Sequence, residues 1–270
     1  MFDAKTYREE KVALVTNALA DHMPKTSEKP ERLHEAMRYA VLNGGKRLRP
    51  LLCLAAAESV GAKAEQALIP ALALELLHAY TLVHDDLPAM DDDELRRGQP
   101  TVHKKFGEVT AILVGDALLT LAFEILAQQG SAELVRELAT AAGSRGVVGG
   151  QEVDLALADA QPNEADIEYI HSHKTAKLFV ASVRLGGLAG AGSDAALAAL
   201  TNYGENLGRA YQLIDDYNDG DGAVELYGAP QTREQAEGYL ATARGAIEAL
   251  PGATDGLNSL VDYFAAQLHG

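Results

Sequence analysis

The chain has 270 residues, of which 47% are hydrophobic, so it can bury a substantial core as one large domain or two small ones. Its 39 acidic residues outnumber its 23 basic residues, and the net charge of −16 argues against nucleic acid as a partner, because phosphate backbones need a basic surface. Cys53 is the only cysteine, which excludes an intrachain disulfide and favours a reducing, cytoplasmic location.

Apolar residues recur with helical spacing along nearly the whole chain, and short segments rich in glycine and proline separate the runs. The predicted helices, in chain order, cover residues 2–20, 31–43, 47–60, 64–87, 107–128, 131–142, 145–157, 164–173, 174–188, 194–219, 232–249 and 256–268. Alternating strand patterns are scarce. We therefore predict an all-α protein, with one domain over residues 1–270 in which long helices form a bundle around a central cavity.

Two segments bear on targeting. The first ten residues carry charges at nearly every second position, unlike a secretory signal. The most apolar window, residues 67–83, is interrupted by Pro70, Glu75 and His78, which indicates a buried helix rather than a membrane span. We expect no transmembrane segment.

Aspartates form two clusters, residues 85–91 and 215–219, each after a long apolar run. Asp215 and Asp219 are four apart and share a helix face, where like charges repel. Both clusters fall at predicted helix C-termini, where the helix dipole disfavours anions, so capping does not explain them. Mg²⁺ would reverse this electrostatic cost and is the usual ion for holding a polyphosphate on one or two carboxylates. We predict metal binding; a solvated acidic helix end is the alternative for either cluster alone.

Cationic segments flank the first cluster. The turn Asn43–Pro50 places Lys46, Arg47 and Arg49 beside two glycines, a composition that suits an anion. Arg96 and Arg97 directly follow the cluster, and His78 lies two helical turns before Asp85. A solvated basic loop, a surface ion-pair network and a core histidine are the alternatives. Together the segments favour a site for two polyphosphate groups.

Two further segments lie near the second cluster. His171 and His173 are two apart and cannot face one way on a helix, so a zinc pair is not expected there. Lys174 and Thr175 instead offer a cation and a hydroxyl at a helix junction. Gln212 precedes Asp215 by one turn and can reach a ligand held over the carboxylates.

These motifs resemble the trans-isoprenyl diphosphate synthases, the polyprenyl synthetase family, and most closely the bacterial farnesyl diphosphate synthase type. The matching segments, from about residue 35 to 219 and in the family's order, are GGKRLRP (44–50), LELLHAYTLVHDDLPAMDDDELRRGQPTVHKKFG (74–107), GDALLTLAFEIL (115–126), GGQEVDL (149–155), HKT (173–175) and YQLIDD (211–216). The first aspartate motif with its paired arginines is highly specific.

The resemblance implies an isoprenoid synthase fold, usually a homodimer, that condenses isopentenyl diphosphate with an allylic diphosphate and binds three Mg²⁺ ions. The implied metal ligands are Asp85, Asp86, Asp91, Asp215, Asp216 and Asp219. The implied groups at the allylic substrate are Arg96, Lys174, Thr175 and Gln212. The implied isopentenyl diphosphate site comprises Lys46, Arg49, His78 and Arg97. The implied chemistry is ionisation, condensation and elimination in an apolar cavity, without a protein nucleophile.

Tyr80 lies five residues before Asp85, about one and a half helical turns away. An aromatic residue there resembles the cavity floor of farnesyl-producing members, which predicts a C15 product. Ordinary core packing of Tyr80 is the alternative, and geranylgeranyl diphosphate is the alternative product.

The chain departs from the family after Asp219. Members normally continue through a loop rich in glycine and lysine that closes over the allylic diphosphate, and here the residues Gly220 to Gly228 replace it. Three explanations remain open: a slow enzyme, a non-catalytic subunit that modulates a partner synthase, or a sequence that lacks a mobile segment. A terpene cyclase is a further alternative, against which the second diphosphate site counts. We favour an active site of the enzyme type, because the other expected ligands are present.

Overall fold

The computed structural model describes residues 2–157 and 163–268. The long helices within these ranges are α1 (Ala4–His22), α2 (Glu31–Leu42), α3 (Leu48–Ser59), α4 (Leu68–Asp85), α6 (Glu108–Ala127), α7 (Ala132–Ala142), α8 (Val147–Ala156), α10 (Lys177–Ala189), α11 (Asp194–Asp219), α13 (Ala229–Ala246) and α14 (Asp255–Ala265). The predicted all-α fold is thereby confirmed, and α11 has the predicted bounds. The break predicted over residues 159–163 lies, apart from Asn163, outside the described residues.

Several short elements were not predicted, namely the helices α5 (Val102–Phe106) and α12 (Ala223–Tyr227) and the strands β1 (Leu95–Arg96) and β2 (Gln99–Pro100). Helix α9 (Glu164–Ile170) and the 3₁₀ turns Ala64–Ala67 and Ala266–Leu268 lie within the helices predicted over 164–173, 64–87 and 256–268. The helix expected over 164–173 passes instead into a π-helical turn, His171–Ala176, before α10 begins. Elements this short carry too few residues for apolar periodicity to register them.

The helices form two compact units. One, here the α4 unit, comprises Lys5–Leu51 and Leu68–Val135; the other, the α11 unit, comprises Met1–Ala4, Leu52–Ala67 and Arg136–Gly270. The prediction of a single domain over residues 1–270 stays a prediction.

In the α4 unit, α4 packs along α6. Every residue from Pro70 to Leu77 is buried, including Glu75. A side chain at Gly115 of α6 would lie 2.0 Å from Nε2 of His84, so the missing side chain admits the imidazole. The same nitrogen donates to the carbonyl of Ile112 at 3.1 Å. This contact fixes the end of α4 that precedes the first aspartate cluster.

In the α11 unit, α11 packs against α10, α13 and the π-helical turn. Small residues permit the close approach, because a Cβ at Gly208 would lie 2.6 Å from Cα of Ala176. Phe179, Tyr211 and Phe264 form an aromatic cluster with ring centroids 5.4 to 6.1 Å apart. Aromatic pairs at such distances contribute about 0.5–1.5 kcal/mol each beyond the area they bury. The packing holds α11 and the π-helical turn side by side.

Two described segments have the length and apolar composition of a membrane-crossing helix, Ala64–Asp85 and Glu108–Ala127. The most apolar window of the first is 67% buried inside the protein and that of the second is 39% buried. Core helices pass the same test, and α4 is such a helix, since every residue from Pro70 to Leu77 is buried. The expectation of no transmembrane segment stays a prediction.

Candidate active site

The first aspartate cluster forms a compact turn at the end of α4. The amide of Asp91 donates to the carbonyl of Asp85 at 2.9 Å, which returns the chain to the helix end. Asp91 is exposed, whereas Asp86 is only 2% exposed. Burial raises the pKa of the Asp86 carboxyl, and its hydrogen bond with Arg96 opposes that rise. The turn therefore concentrates carboxylates at one helix end despite the electrostatic cost.

A tight hairpin follows this turn and separates the two arginines. Leu95 pairs with Pro100 and Arg96 with Gln99, so Arg97 and Gly98 form the two-residue connection. Both have positive φ, 55° and 73°, as a type I′ turn requires. Arg96 turns back to Asp86, with Nε 2.7 Å and Nη2 2.6 Å from Oδ1. Arg97 donates through Nη1 to the carbonyl of Gly44 at 2.7 Å.

Arg97 thus contacts the cationic turn that sequence reasoning singled out. A side chain at Gly45 would lie 2.6–2.8 Å from the Arg97 guanidinium, so only glycine leaves room for that contact. Lys46 is exposed and Arg49 is half-buried on the following helix, α3. Burial lowers the pKa of the Arg97 guanidinium, with further lowering from Arg47 and Arg96 and an opposing effect of Glu75.

His78 belongs to the same cationic group. Burial, followed by the charges of Arg49, Arg97, Arg96 and Arg47, lowers its pKa well below 6.5. A neutral imidazole therefore lies among several guanidinium groups. That arrangement suits an anion, because an anion would relieve the repulsion among the cations. The α4 unit thus places His78 where the charges of Arg49 and Arg97 act on it.

The second aspartate cluster occupies the last turn of α11. Asp215 and Asp219 are exposed and Asp216 is buried. Oδ2 of Asp216 accepts the backbone N–H of Ala223 at 2.9 Å and lies 3.3 Å from Nε2 of His171. Asp216 therefore already contacts two protein groups, the first backbone N–H of α12 and the imidazole of His171 in the π-helical turn.

The π-helical turn places the predicted cation, Lys174, and the predicted hydroxyl, Thr175, beside the second aspartate cluster. A side chain at Gly150 of α8 would lie 2.2 Å from the backbone nitrogen of Lys174, so α8 approaches the turn closely. Nζ of Lys174 lies 2.5 Å from Oδ2 of Asp154, one turn further along α8. Oγ1 of Thr175 donates to Oε1 of Gln212 at 2.8 Å. A cavity of about 330 Å³ in this unit is lined by Asp154, His171, Lys174, Thr175, Gln212, Asp215 and Asp216, among others.

Both clusters offer only carboxylate oxygens, the donor type that Mg²⁺ prefers. Among residues 2–157 and 163–268, no group of three or more histidine, cysteine, aspartate or glutamate side chains is arranged to hold a metal by itself. This is compatible with Mg²⁺, which is usually bound by one or two carboxylates together with substrate phosphates. The residues present therefore fit an ion that a diphosphate helps to hold.

Tyr80 lies on α4 as the sequence indicated. It is 7% exposed, and its ring meets that of His84 edge to face at a centroid distance of 5.8 Å. Burial, and then the charge of Asp85, raise the pKa of its hydroxyl. The ring is thus held by His84, which α6 in turn holds through Gly115 and Ile112.

A second cavity, of about 1050 Å³, is lined by residues of α9, α11, α12 and α13 and by His171 of the π-helical turn. Two polar pairs lie in its wall: Arg209 contacts Glu168 at 2.6 Å, and Tyr227 hydrogen-bonds to Glu164.

Sequence reasoning missed three side chains that hold the site together. Asp154 pairs with Lys174, Glu75 pairs with the buried Arg47, and His171 contacts Asp216. Asp154 lies in the segment GGQEVDL and Glu75 in the segment LELLH. Each is a charged residue in an apolar run, and this feature could have indicated a buried ion pair. Nothing in the spacing indicates the role of His171, because its partner Asp216 lies on α11, far along the chain.

Comparisons with known proteins identify the family of the chain. The sequence model described as polyprenyl synthetase matches residues 30–242. A heterodimeric geranylgeranyl pyrophosphate synthase large subunit of Arabidopsis thaliana is 45% identical over 230 residues, covering 81% of this chain and 62% of that protein. The geranylgeranyl pyrophosphate synthase of Capsicum annuum is 42% identical, covering 81% and 61%. The chain thus spans about three fifths of the length of these curated relatives.

Solved structures match over nearly their whole length. An FPP/GFPP synthase from Zymomonas mobilis has a TM-score of 0.91 and 36% identity, covering 97% of this chain and 98% of the other. A geranyltransferase from Legionella pneumophila has a TM-score of 0.91 and 33% identity, covering 98% and 97%. With the matched residues 30–242 and the site geometry, these likenesses show that the chain belongs to the polyprenyl synthetase family.

Proposed function

We propose that the chain is a short-chain prenyltransferase that condenses isopentenyl diphosphate with dimethylallyl or geranyl diphosphate to form farnesyl diphosphate. The main support is the hairpin of the α4 unit, in which Arg96 binds Asp86 and Arg97 binds the carbonyl of Gly44. One short hairpin therefore joins a carboxylate cluster suited to Mg²⁺ to a cationic turn suited to a diphosphate. A reaction between two diphosphates needs sites of these two kinds.

In the proposed reaction, the C–O bond of the allylic diphosphate breaks and the isopentenyl double bond attacks the allylic carbon. A proton is then transferred to the released diphosphate. Arg96, Lys174 and Thr175 are proposed to bind the departing group, since cationic and hydroxyl donors that meet developing charge lower the barrier. Gln212, oriented by Thr175, is proposed to lie near the reacting carbons. Three Mg²⁺ ions, when bound by the aspartates, would supply charge neutralisation of the diphosphate.

The C15 product is proposed on the position of Tyr80, whose buried ring lies on the helix that leads to the first aspartate cluster. Geranylgeranyl diphosphate is the second candidate product. It is favoured by the curated relatives at 42–45% identity, which are named geranylgeranyl pyrophosphate synthases.

A homodimer is proposed on the surface of α6. Val109, Ile112 and Leu113 are 46–74% exposed and lie on one face of this apolar helix, where a second copy would bury them. A cytoplasmic location is proposed because Cys53, the single cysteine, is a free, buried thiol. Light scattering of the parent and of Ile112→Glu tests the dimer, and an unchanged mass for the variant would contradict this interface.

One assay tests the proposed activity. The purified protein is incubated with Mg²⁺, isopentenyl diphosphate and dimethylallyl or geranyl diphosphate, and diphosphate release and prenyl chain length are measured. We expect diphosphate release that depends on both substrates, because ionisation is coupled to condensation. Release from the allylic diphosphate alone, with a cyclic product, would support a terpene cyclase instead.

Because the connection after Asp219 is short, the same assay also tests whether the chain is a non-catalytic subunit. Absence of turnover alone, followed by turnover or a changed chain length when a partner synthase is added, would favour the non-catalytic subunit. Comparing the mass of the natural protein with 28.6 kDa tests whether a segment is missing from this sequence.

A further inference from the structure

The turn that precedes α3 contains a buried arginine. Arg47 is 4% exposed, whereas its neighbour Lys46 is exposed. Nη1 of Arg47 lies 2.5 Å from Oε1 of Glu75, and Nη2 donates to the carbonyl of Val41 at 2.6 Å. Glu75 is 3% exposed. The turn is thus anchored to the interior of α4 by one guanidinium.

The backbone of this turn is costly to hold. Gly44, Gly45 and Arg47 have φ of 82°, 117° and 51°. Glycine adopts such angles freely, but an arginine in the left-handed region costs about 1–2 kcal/mol. A surrounding structure must therefore impose the conformation at Arg47. The contacts with Glu75 and Val41 are the ones that do so.

Stability alone is a weak reason for such a pair. A buried ion pair loses much of its attraction to desolvation, and apolar replacement of both partners is often neutral or stabilising. The pair does constrain two residues of the cationic group, since Arg49 is two residues beyond Arg47 and His78 is one turn beyond Glu75. The pair also affects the group electrostatically, because the charge of Glu75 raises the pKa of Arg97 and the charge of Arg47 lowers the pKa of His78.

We propose that Arg47 and Glu75 are positioning residues for the isopentenyl diphosphate site. The pair connects the turn to α4 and so sets the spacing between Arg49 and His78. Arg97 holds the turn from the hairpin by its hydrogen bond to the carbonyl of Gly44. Glu75 also supplies the internal negative charge that lets several cations face one another before an anion binds. This inference rests on the proposed function for the identity of the ligand.

The test compares Arg47→Met, Arg47→Lys and the double variant Arg47→Met/Glu75→Leu with the parent. Arg184→Met is the matched control: Arg184 binds Glu137 at 2.6 and 3.0 Å in the α11 unit, whereas the turn belongs to the α4 unit. Isothermal titration gives the Kd for isopentenyl diphosphate, and steady-state kinetics gives KM and kcat for each substrate. Urea unfolding gives the stability of each protein.

We expect Arg47→Met to raise the Kd and KM for isopentenyl diphosphate by about tenfold or more, the factor that corresponds to about 1.4 kcal/mol. The KM for the allylic substrate and kcat should change little. Arg47→Lys should recover part of the affinity, because an ammonium reaches one partner where the guanidinium reaches two. The double variant should regain stability but not affinity, which separates positioning from folding. Arg184→Met should lose stability with an unchanged KM.

Two results would overturn the inference. One is a double variant with the parent Kd, and the other is an Arg47→Met variant that differs from Arg184→Met in neither KM nor Kd. If the parent itself fails to bind isopentenyl diphosphate, the proposed function fails, and amide hydrogen exchange over residues 44–49 then decides on Arg47. Faster exchange in Arg47→Met supports its ordering of the turn, and unchanged exchange refutes it.

Discussion

The carboxylate of Asp216 is hydrogen-bonded to the backbone N–H of Ala223, at 2.9 Å, across the three residues that separate α11 from α12. Gly220 ends α11 in the left-handed conformation, with φ 78° and ψ 24°. The short connection that replaces the family's lysine-rich loop is therefore held by a side chain of the second aspartate cluster. Asp215 and Asp219 are the members of that cluster that remain exposed.

This contact predicts a strict requirement for glycine at position 222. Gly222 has φ 50° and ψ −112°, and a Cβ there would lie 2.7 Å from Oδ2 of Asp216. Gly222→Ala should destabilise the protein by about 1–3 kcal/mol from backbone strain, before any cost from the clash. Urea unfolding measures the change. Gly238→Ala is the control: position 238 is exposed within α13, and a Cβ would meet nothing within 4 Å.

The control should be stabilising by about 0.5–1 kcal/mol, because alanine loses less conformational entropy than glycine in a helix. Equal stability of Gly222→Ala and the parent would contradict the placement of Asp216 against the connection.

Lys174 should be essential for turnover. It is held by Asp154 from a neighbouring helix, at the cavity that also contains Gln212 and Asp215. Lys174→Met should lower kcat by on the order of 10²–10³, the usual effect of removing one donor to developing charge. Steady-state kinetics measures it. Lys177→Met, at an exposed position one turn later, is the matched control and should retain the parent kcat.

A kcat for Lys174→Met within twofold of the control would remove Lys174 from the reaction. Asp154→Asn gives a second check, because it keeps the hydrogen-bonding shape and removes the charge beside the ammonium. We expect it to alter kcat without changing the KM for isopentenyl diphosphate.

The sequence predicted the long helices well, because each has enough turns for its apolar face to repeat. The bounds of α11 and the two aspartate clusters were both readable in this way. The direction of Arg47 was not readable, since Lys46, Arg47 and Arg49 have the same charge and nothing local assigns one of them to the interior. Burial of Arg47 depends on Glu75, 28 residues later.

The site residues near the π-helical turn show the same limit. Helical spacing cannot predict that His171 reaches Asp216, because the two residues lie on different elements and meet only through the packing of the π-helical turn against α11. The cause lies partly in α8 and α11, where Gly150 and Gly208 give the turn room. Such packing is set by residues distant in sequence.

The lowered pKa of His78 predicts a pH dependence of stability. Burial and then the neighbouring arginines depress the pKa below 6.5 in the folded protein, so the unfolded chain takes up the proton more readily. Stability should therefore fall as the pH decreases below about 6.5, with each unit of depression equivalent to about 1.4 kcal/mol. Urea unfolding at pH 7.5 and pH 5.5 measures the loss, which His78→Asn should reduce.

His22→Asn serves as the control, since this histidine is exposed at the end of α1. It should leave the pH dependence near that of the parent. Isopentenyl diphosphate should oppose the loss, because a bound anion favours the imidazolium, and titration in two buffers of different ionisation enthalpy should detect proton uptake. Parent and His78→Asn with the same pH dependence would show that His78 does not carry this effect.

Tyr80 should limit the length of the product. Its ring is buried on α4 and contacts His84 edge to face, and His84 is hydrogen-bonded to the carbonyl of Ile112. Movement of the Tyr80 ring would therefore disrupt these contacts. Tyr80→Ala removes the ring and should lengthen the product beyond C15, while Tyr80→Phe keeps the ring and should keep the parent product. Chromatography of the dephosphorylated prenyl alcohols measures both products.

Truncation of a buried aromatic residue costs about 3–5 kcal/mol of stability, so the assay is run at a temperature where circular dichroism shows that Tyr80→Ala remains folded. Identical product distributions from Tyr80→Ala and the parent would assign Tyr80 to ordinary core packing, and a parent product of C20 would favour geranylgeranyl diphosphate.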